Sequence, residues 1–153
     1  MWHKVHPIAF RLPYIKTWSS TWYAGKKDYA TKLAIDTKIR NALDVELTGI
    51  PVWDIMIARS EDSLTVDIFT AKASLVLGKD DANRFKITSL LEKISQMKVV
   101  LNVKEIKKPE TNAKIVWYMI SNQIEKRMPY KRAIKQAIKQ AMEKWAKCIK
   151  VKV

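Results

Sequence analysis

Two consecutive stretches, "VWDIMIAR" at Val52–Arg59 and "SLTVDIFTA" at Ser63–Ala71, constrain this chain more than any other feature. Both are rich in β-branched and aromatic residues, which suit the pleated surface of a sheet. Only the polar "SED" of Ser60–Asp62 separates them, so they read as a hairpin. Leu64, Val66 and Ile68 alternate onto one face of it. A lone hairpin is marginal in water, so that apolar face needs cover.

The flanks supply the cover. From Asp28 the pattern turns helical, with Tyr29, Leu33, Ile39, Leu43 and Leu47 on one face and charges opposite. Gly49 and Pro51 end that helix. After the hairpin, a short apolar segment at Ala73–Leu77 meets the loop "GKDD". A second long helix then runs from about Ala82 to Ile94, with Phe85, Ile87, Leu90, Leu91 and Ile94 as its stripe. "KVVLNVKEI" at Lys98–Ile106 reads as a third strand. Three strands in one sheet with helices on one face give an α+β domain over residues 28–106.

The ends read differently. Residues 1–27 show no clean period and mix Trp2, Phe10, Tyr14, Trp18, Trp22 and Tyr23 with Pro7, Pro13 and basic residues. They read as an extended arm that orders against a partner. Trp18, Trp22 and Tyr23 either pack on the arm's own domain or contact RNA or protein, where base stacking is worth roughly 1–3 kcal/mol each. In residues 107–153, helices are expected at about Thr111–Arg127 and Tyr130–Lys147, with Pro129 at a helix start. "CIKVKV" at Cys148–Val153 closes as a short alternating strand.

Charge follows the same division. The chain carries +14, of which residues 1–27 hold +5, residues 28–106 hold −1 and residues 107–153 hold +10. A merely solubilising surface would not leave the middle neutral. Positive charge gathered at two ends points to a polyanion, above all nucleic acid. One cysteine, Cys148, excludes an intramolecular disulfide and suits a reducing compartment; it reads as a small core residue. No apolar run approaches the roughly 20 residues of a membrane span, and "MWHKVHPIAFRLPY" lacks the order of a signal peptide. No membrane partner is expected.

The candidate phosphate-binding residues lie at both ends: Lys4, Arg11, Lys16, Lys26 and Lys27 in the arm, then Lys107, Lys108, Arg127, Lys131, Arg132, Lys135 and Lys139. In "YKRAIKQAIKQAMEKW", Lys131, Lys135 and Lys139 line up four residues apart, which costs a few tenths of a kcal/mol per pair in an isolated helix. Phosphates would reverse that cost. The plainer reading is a solvated face opposite a core stripe of Tyr130, Ile134, Ile138, Met142 and Trp145.

Gly78-Lys79-Asp80-Asp81 combines opposed signals. Gly and Lys favour a phosphate, whereas two carboxylates repel one. Asp80 or Asp81 is expected to cap the following helix, a common role for Asp. No histidine, third carboxylate or nucleophile accompanies the pair, and His3 and His6 lack supporting ligands. Neither a catalytic constellation, a metal site nor a cofactor is therefore expected.

The order α-β-β-α-loop-α-β, with a Gly-Lys step before the third helix, resembles a type II KH domain, whose GxxG loop clamps four nucleotides. "KVHPIAFRL" at Lys4–Leu12, "WSSTWYAGKKDYATKL" at Trp18–Leu33 and "KIRNAL" at Lys38–Leu43 resemble the small-subunit ribosomal protein S-three family. So do "IKKPETNAKIV" at Ile106–Val116, "QIEKRMPYKRAIKQAIKQAM" at Gln123–Met142 and "KCIKVKV" at Lys147–Val153. The resemblance implies a structural rRNA-binding protein in the head of the small subunit, beside the S-ten and S-fourteen families. It also implies a place on the channel through which mRNA enters, with Lys131, Arg132 and Lys135 facing mRNA and helping to unwind it.

Two departures matter. The second glycine of the family's loop is Asp81 here, so the clamp is degenerate. The family also continues into a second α/β domain, whereas this sequence stops at Val153. Ile149, Val151 and Val153 would then form an apolar strand face, covered by a neighbouring protein or a separate polypeptide pairing with residues 148–153, or left by truncation. The competing class is a free-standing KH-domain RNA-binding regulator that works through its loop. Lys outnumbers Arg by 23 to 6, which suits a ribosome of the bacterial cytoplasm or of a mitochondrial or plastid matrix.

Overall fold

The computed structural model describes residues 3–78 and 81–152. Along the chain run α1 (Pro7–Arg11), β1 (Ser20–Thr21), α2 (Tyr29–Glu46), β2 (Val52–Arg59), β3 (Ser63–Thr70), α3 (Ala73–Leu77), α4 (Ala82–Ser95) and β4 (Lys98–Glu105). A single 3-10 turn at Pro109–Thr111 precedes α5 (Ala113–Glu125) and α6 (Tyr130–Glu143).

The expected hairpin is present, with β2 and β3 antiparallel and Ile57 opposite Val66. β3 and β4 are parallel, with Val66 opposite Leu101, and the crossover between them is α3 and α4. A parallel pair requires such a crossover, because a tight turn cannot return the chain to the same end. The sheet has four strands in the order β1-β2-β3-β4, where the sequence reading expects three. The fourth comes from the arm: Ser20 and Thr21 pair parallel to Ile57 and Ala58. Two residues are too short for any hydrophobic period to reveal.

Alternation puts Leu64, Val66 and Ile68 fully inside, each 0% exposed. They meet Ile39 and Leu43 of α2, Leu47 just past its end, and Ile87 and Leu91 of α4 in one core. Burying a side chain of this size stabilises by roughly 1.5–3 kcal/mol. The expected stripe of α2 fails in its first two turns, where Tyr29 is 53% and Leu33 46% exposed. Asp36, only 3% exposed, takes the inward position there. On α4, Phe85 points outward while Ile87 and Leu91 carry the packing.

The C-terminal helices pack on each other, and α5 touches the body at β2. Asn112 opens α5 by accepting from the Lys114 and Ile115 amides at 3.1 and 3.5 Å. In α6 the buried residues are Ala133 and Ala141, whose small side chains let the helices approach. Tyr130, Met142 and Trp145 are exposed, so the inward stripe lies one position away from the expected one. Residues 148–152 form no strand, contrary to expectation. A strand needs a neighbouring edge for its N–H and C=O groups, and this segment pairs with none of the four described strands.

Candidate nucleic-acid interface

The basic end is built on α6. Pro129 fixes the entry angle, and Lys131, Arg132, Lys135 and Lys139 project to solvent opposite Ala133 and Ala141. The first turn of α6 has no acidic residue and no side-chain cap, so its free N–H groups add to the positive field. Among the described residues, Lys131, Arg132 and Lys135 form no ion pair, while Lys139 Nζ lies 3.9 Å from Glu143 Oε1. Lys131 Nζ sits 6.0 Å from the centre of the Tyr130 ring. Arg127, in the turn before α6, has a φ of 61°. Lys107 and Lys108 are exposed in the connection between β4 and the 3-10 turn.

In the arm, Lys4, Arg11, Lys16, Lys26 and Lys27 are exposed. His6 acts locally, because its Nδ1 accepts from the Ala9 amide at 3.4 Å and caps α1. Arg11 Nη1 donates to the Pro7 carbonyl at 2.7 Å, which holds the other end of the same turn. Of the three undecided aromatics, Trp22 packs on Tyr29 with ring centres 5.5 Å apart, whereas Trp18 and Tyr23 remain exposed.

Trp22 also belongs to a polar cluster that periodicity did not reveal. The buried Asp36 Oδ2 accepts from Ser20 Oγ at 2.7 Å and from Trp22 Nε1 at 3.2 Å. Arg40 bridges the arm to the sheet, donating to Ser19 O, Ser20 Oγ and Ile55 O at 3.1, 2.8 and 2.9 Å. Arg59 Nη2 stands 4.0 Å from Asp36 Oδ1, and both side chains are almost wholly buried. The one sequence signal was an aspartate three residues before Ile39, on the inward face of an amphipathic helix.

The loop departs from expectation. Lys79 and Asp80 lie outside the described residues. Asp81 does not cap α4: its backbone is left-handed (φ 58°), and its side chain bonds none of the free N–H groups. That conformation brings its carboxylate to 3.9 Å from Arg84 Nη1 instead. Gly78, with φ 76°, faces the Asn83 side chain.

On the outer face of the sheet, Asp67 accepts from Lys104 Nζ at 2.6 Å and from Asn102 Nδ2 at 3.0 Å. Partial burial works to raise its pKa, but the bonds from Lys104 and Asn102 outweigh it and lower the carboxyl below its ordinary value. A cleft of about 530 Å³ lies between α5 and residues 148–152, walled by Val116, Trp117, Ile120, Ile149 and Val151. Cys148 is exposed at its margin and is not the core residue expected. Among the described residues, no group of three or more His, Cys, Asp or Glu could hold a metal ion. No described helix is long and apolar enough to cross a membrane.

Residues 38–111 match the KH domain family. A protein of Caldanaerobacter subterraneus subsp. tengcongensis called small ribosomal subunit protein uS3 is 40% identical over 151 residues, covering 99% of this chain and 68% of its own length. The protein of the same name from Psychromonas ingrahamii is 41% identical over 153 residues, 100% of this chain and 66% of its own. That of Baumannia cicadellinicola is 40% identical over 153 residues, again 100% and 66%. The chain thus spans about two thirds of the length of these relatives, 66–68%.

Proposed function

The chain belongs to the small ribosomal subunit protein uS3 family, and from that premise we propose that it is a structural, rRNA-binding component of the small subunit. Its role is architectural and not catalytic. The observation that carries this reading is the exposed cation row at the start of α6, which forms no ion pair among the described residues, on a chain whose central domain has no net positive charge. Such a row binds phosphates wherever they pass, positioning RNA without reading its sequence.

Lys131, Arg132 and Lys135 then face the channel through which mRNA enters, while Arg127, Lys139, Lys107, Lys108 and the arm cations Lys4, Arg11, Lys16, Lys26 and Lys27 hold rRNA. Proteins of the S-ten and S-fourteen families are the proposed neighbours, in a bacterial or organellar ribosome. The loop does little of this work, because Asp81 stands where a glycine would admit a phosphate. A separate or downstream polypeptide segment would cover the cleft beside residues 148–152.

The test is binding of the full chain to small-subunit rRNA across a salt series, with K131Q/R132Q/K135Q as the comparison. Each phosphate contact contributes roughly 0.7–0.9 to the slope of log K against log salt, so the triple variant should lose about 2 units. An unchanged slope would remove α6 from the interface. Failure of the unaltered chain to co-sediment with small subunits would refute the function itself.

A further inference from the structure

The arm is held by only two residues of strand, Ser20 and Thr21. Backbone pairing that short does not by itself keep a chain in place. Yet the arm docks beside β2, where the Ile57 amide donates to the Ser19 carbonyl at 2.9 Å. The explanation lies in side chains: Arg40 donates to Ser19 O and Ser20 Oγ, and Asp36 accepts from Ser20 and Trp22. Among the described residues, the hydrogen bonds this buried carboxylate receives come from two arm side chains, Ser20 and Trp22. Its other oxygen has no hydrogen-bond partner among the described residues, and neither do Nε and Nη2 of the neighbouring Arg59. Lifting the arm away would take both of these hydrogen bonds from the carboxylate and leave it the Arg59 guanidinium at 4.0 Å and whatever water enters, which costs stability.

We propose that Asp36 is a positioning residue for RNA binding: it latches the arm to the KH body, so that the arm's cations and the body present one pre-ordered surface. Lys16 lies four residues before Ser20, and Lys26 and Lys27 follow Trp22 closely, so the latch sets where all three emerge. The Tyr23 carbonyl, accepting from Lys32 Nζ at 3.2 Å, carries the arm on to α2. Pre-ordering matters because a loose arm must surrender its conformational freedom when RNA binds. The inference rests on the proposed rRNA-binding role and adds a residue that touches no RNA.

The test uses the full chain carrying S20A/W22F, which removes both donors while keeping Asp36, Arg59 and the aromatic ring beside Tyr29; Arg40 loses Ser20 Oγ but keeps Ser19 O and Ile55 O. The expected result is amide exchange at Ile57 at least tenfold faster, with amides of β3 unchanged. Affinity for small-subunit rRNA should fall about tenfold at fixed salt, equivalent to about 1.4 kcal/mol. The salt slope should stay the same, because no cation has been removed. Ser20→Thr keeps the hydroxyl donor and should retain both protection and affinity. Should the double variant not fold, Trp22→Phe alone loses one donor and should give an intermediate exchange rate.

Unchanged exchange at Ile57 overturns the latch. Faster exchange with undiminished affinity overturns its bearing on RNA. Absence of rRNA binding by the unaltered chain overturns the functional reading instead, and the exchange rates still decide whether the latch exists.

Discussion

Gly78→Ala is the substitution whose cost the geometry specifies most closely. Gly78 has φ 76° and ψ −172°, a region open in practice only to glycine. Any L residue there carries roughly 1–3 kcal/mol of backbone strain. A Cβ at this position would also lie 2.8 Å from Asn83 Nδ2, 2.9 Å from its Cγ and 3.3 Å from its Cβ. Asn83 is exposed, so its amide can swing away and the steric part is largely relieved. Backbone strain should therefore dominate, and Gly78→Ala should destabilise by about 2 kcal/mol. For a chain of this size that lowers Tm by roughly 4–8 °C. Thermal unfolding of Gly78→Ala, Asn83→Ala and the double variant separates the two causes. Asn83→Ala should restore less than half of the loss. Full restoration would show that the collision, and not the backbone, makes this position a glycine; a cost below about 0.5 kcal/mol would refute both.

The remaining expectations are simpler. Leu43→Ala removes a side chain that is 0% exposed between α2 and the sheet, and should cost about 2–5 kcal/mol in denaturant unfolding. Asp81→Gly relaxes a left-handed residue whose contact with Arg84 is long and exposed, so it should stabilise by about 0.5–1 kcal/mol. By removing a charge from the loop, the same change should raise affinity for short single strands; a fall would mean that the aspartate contributes to binding. Asp67 has a pKa below its ordinary value of 3.8, so its stabilising bonds to Lys104 and Asn102 are present above that pH and are lost as pH falls through the lower folded value. The advantage of the native chain over Asp67→Asn, on the order of 0.5 kcal/mol for so exposed a pair, should shrink below pH 3.8 and be constant above it.

The elements legible in the sequence were those with a long period and a simple environment. β2 and β3 alternate over eight residues each, and one side of the alternation became the core. α2 and α4 were found for the same reason, with ends within two residues of the expected ones. Short pairings escaped, because β1 is defined by where its two residues dock and not by their pattern. On α6, five large side chains suggested a stripe, whereas packing chose Ala133 and Ala141. Close helix contact favours small side chains there, while Trp145 lies past the end of α6 with a left-handed backbone (φ 70°) and is 87% exposed. Amphipathic period identifies a helix more securely than it identifies the buried face.

Asp81 and Asp36 show why carboxylates were the least legible residues. Both depend on geometry that residue type alone does not carry. At Asp81 the left-handed backbone turns the side chain away from the helix end, so a good capping residue in a capping position makes no cap. At Asp36 a charge sits inside because its donors arrive from 14 and 16 residues earlier in the chain. A window of helix length sees only a polar residue interrupting an apolar face. The same long-range contact joins the basic arm to the neutral domain, so the charge division along the chain does not mark a mechanical one. If the latch is intact, the arm's cations and the latch act on RNA as one unit. Their contributions to affinity should then couple: neutralising Lys16 should cost more in the native chain than in S20A/W22F.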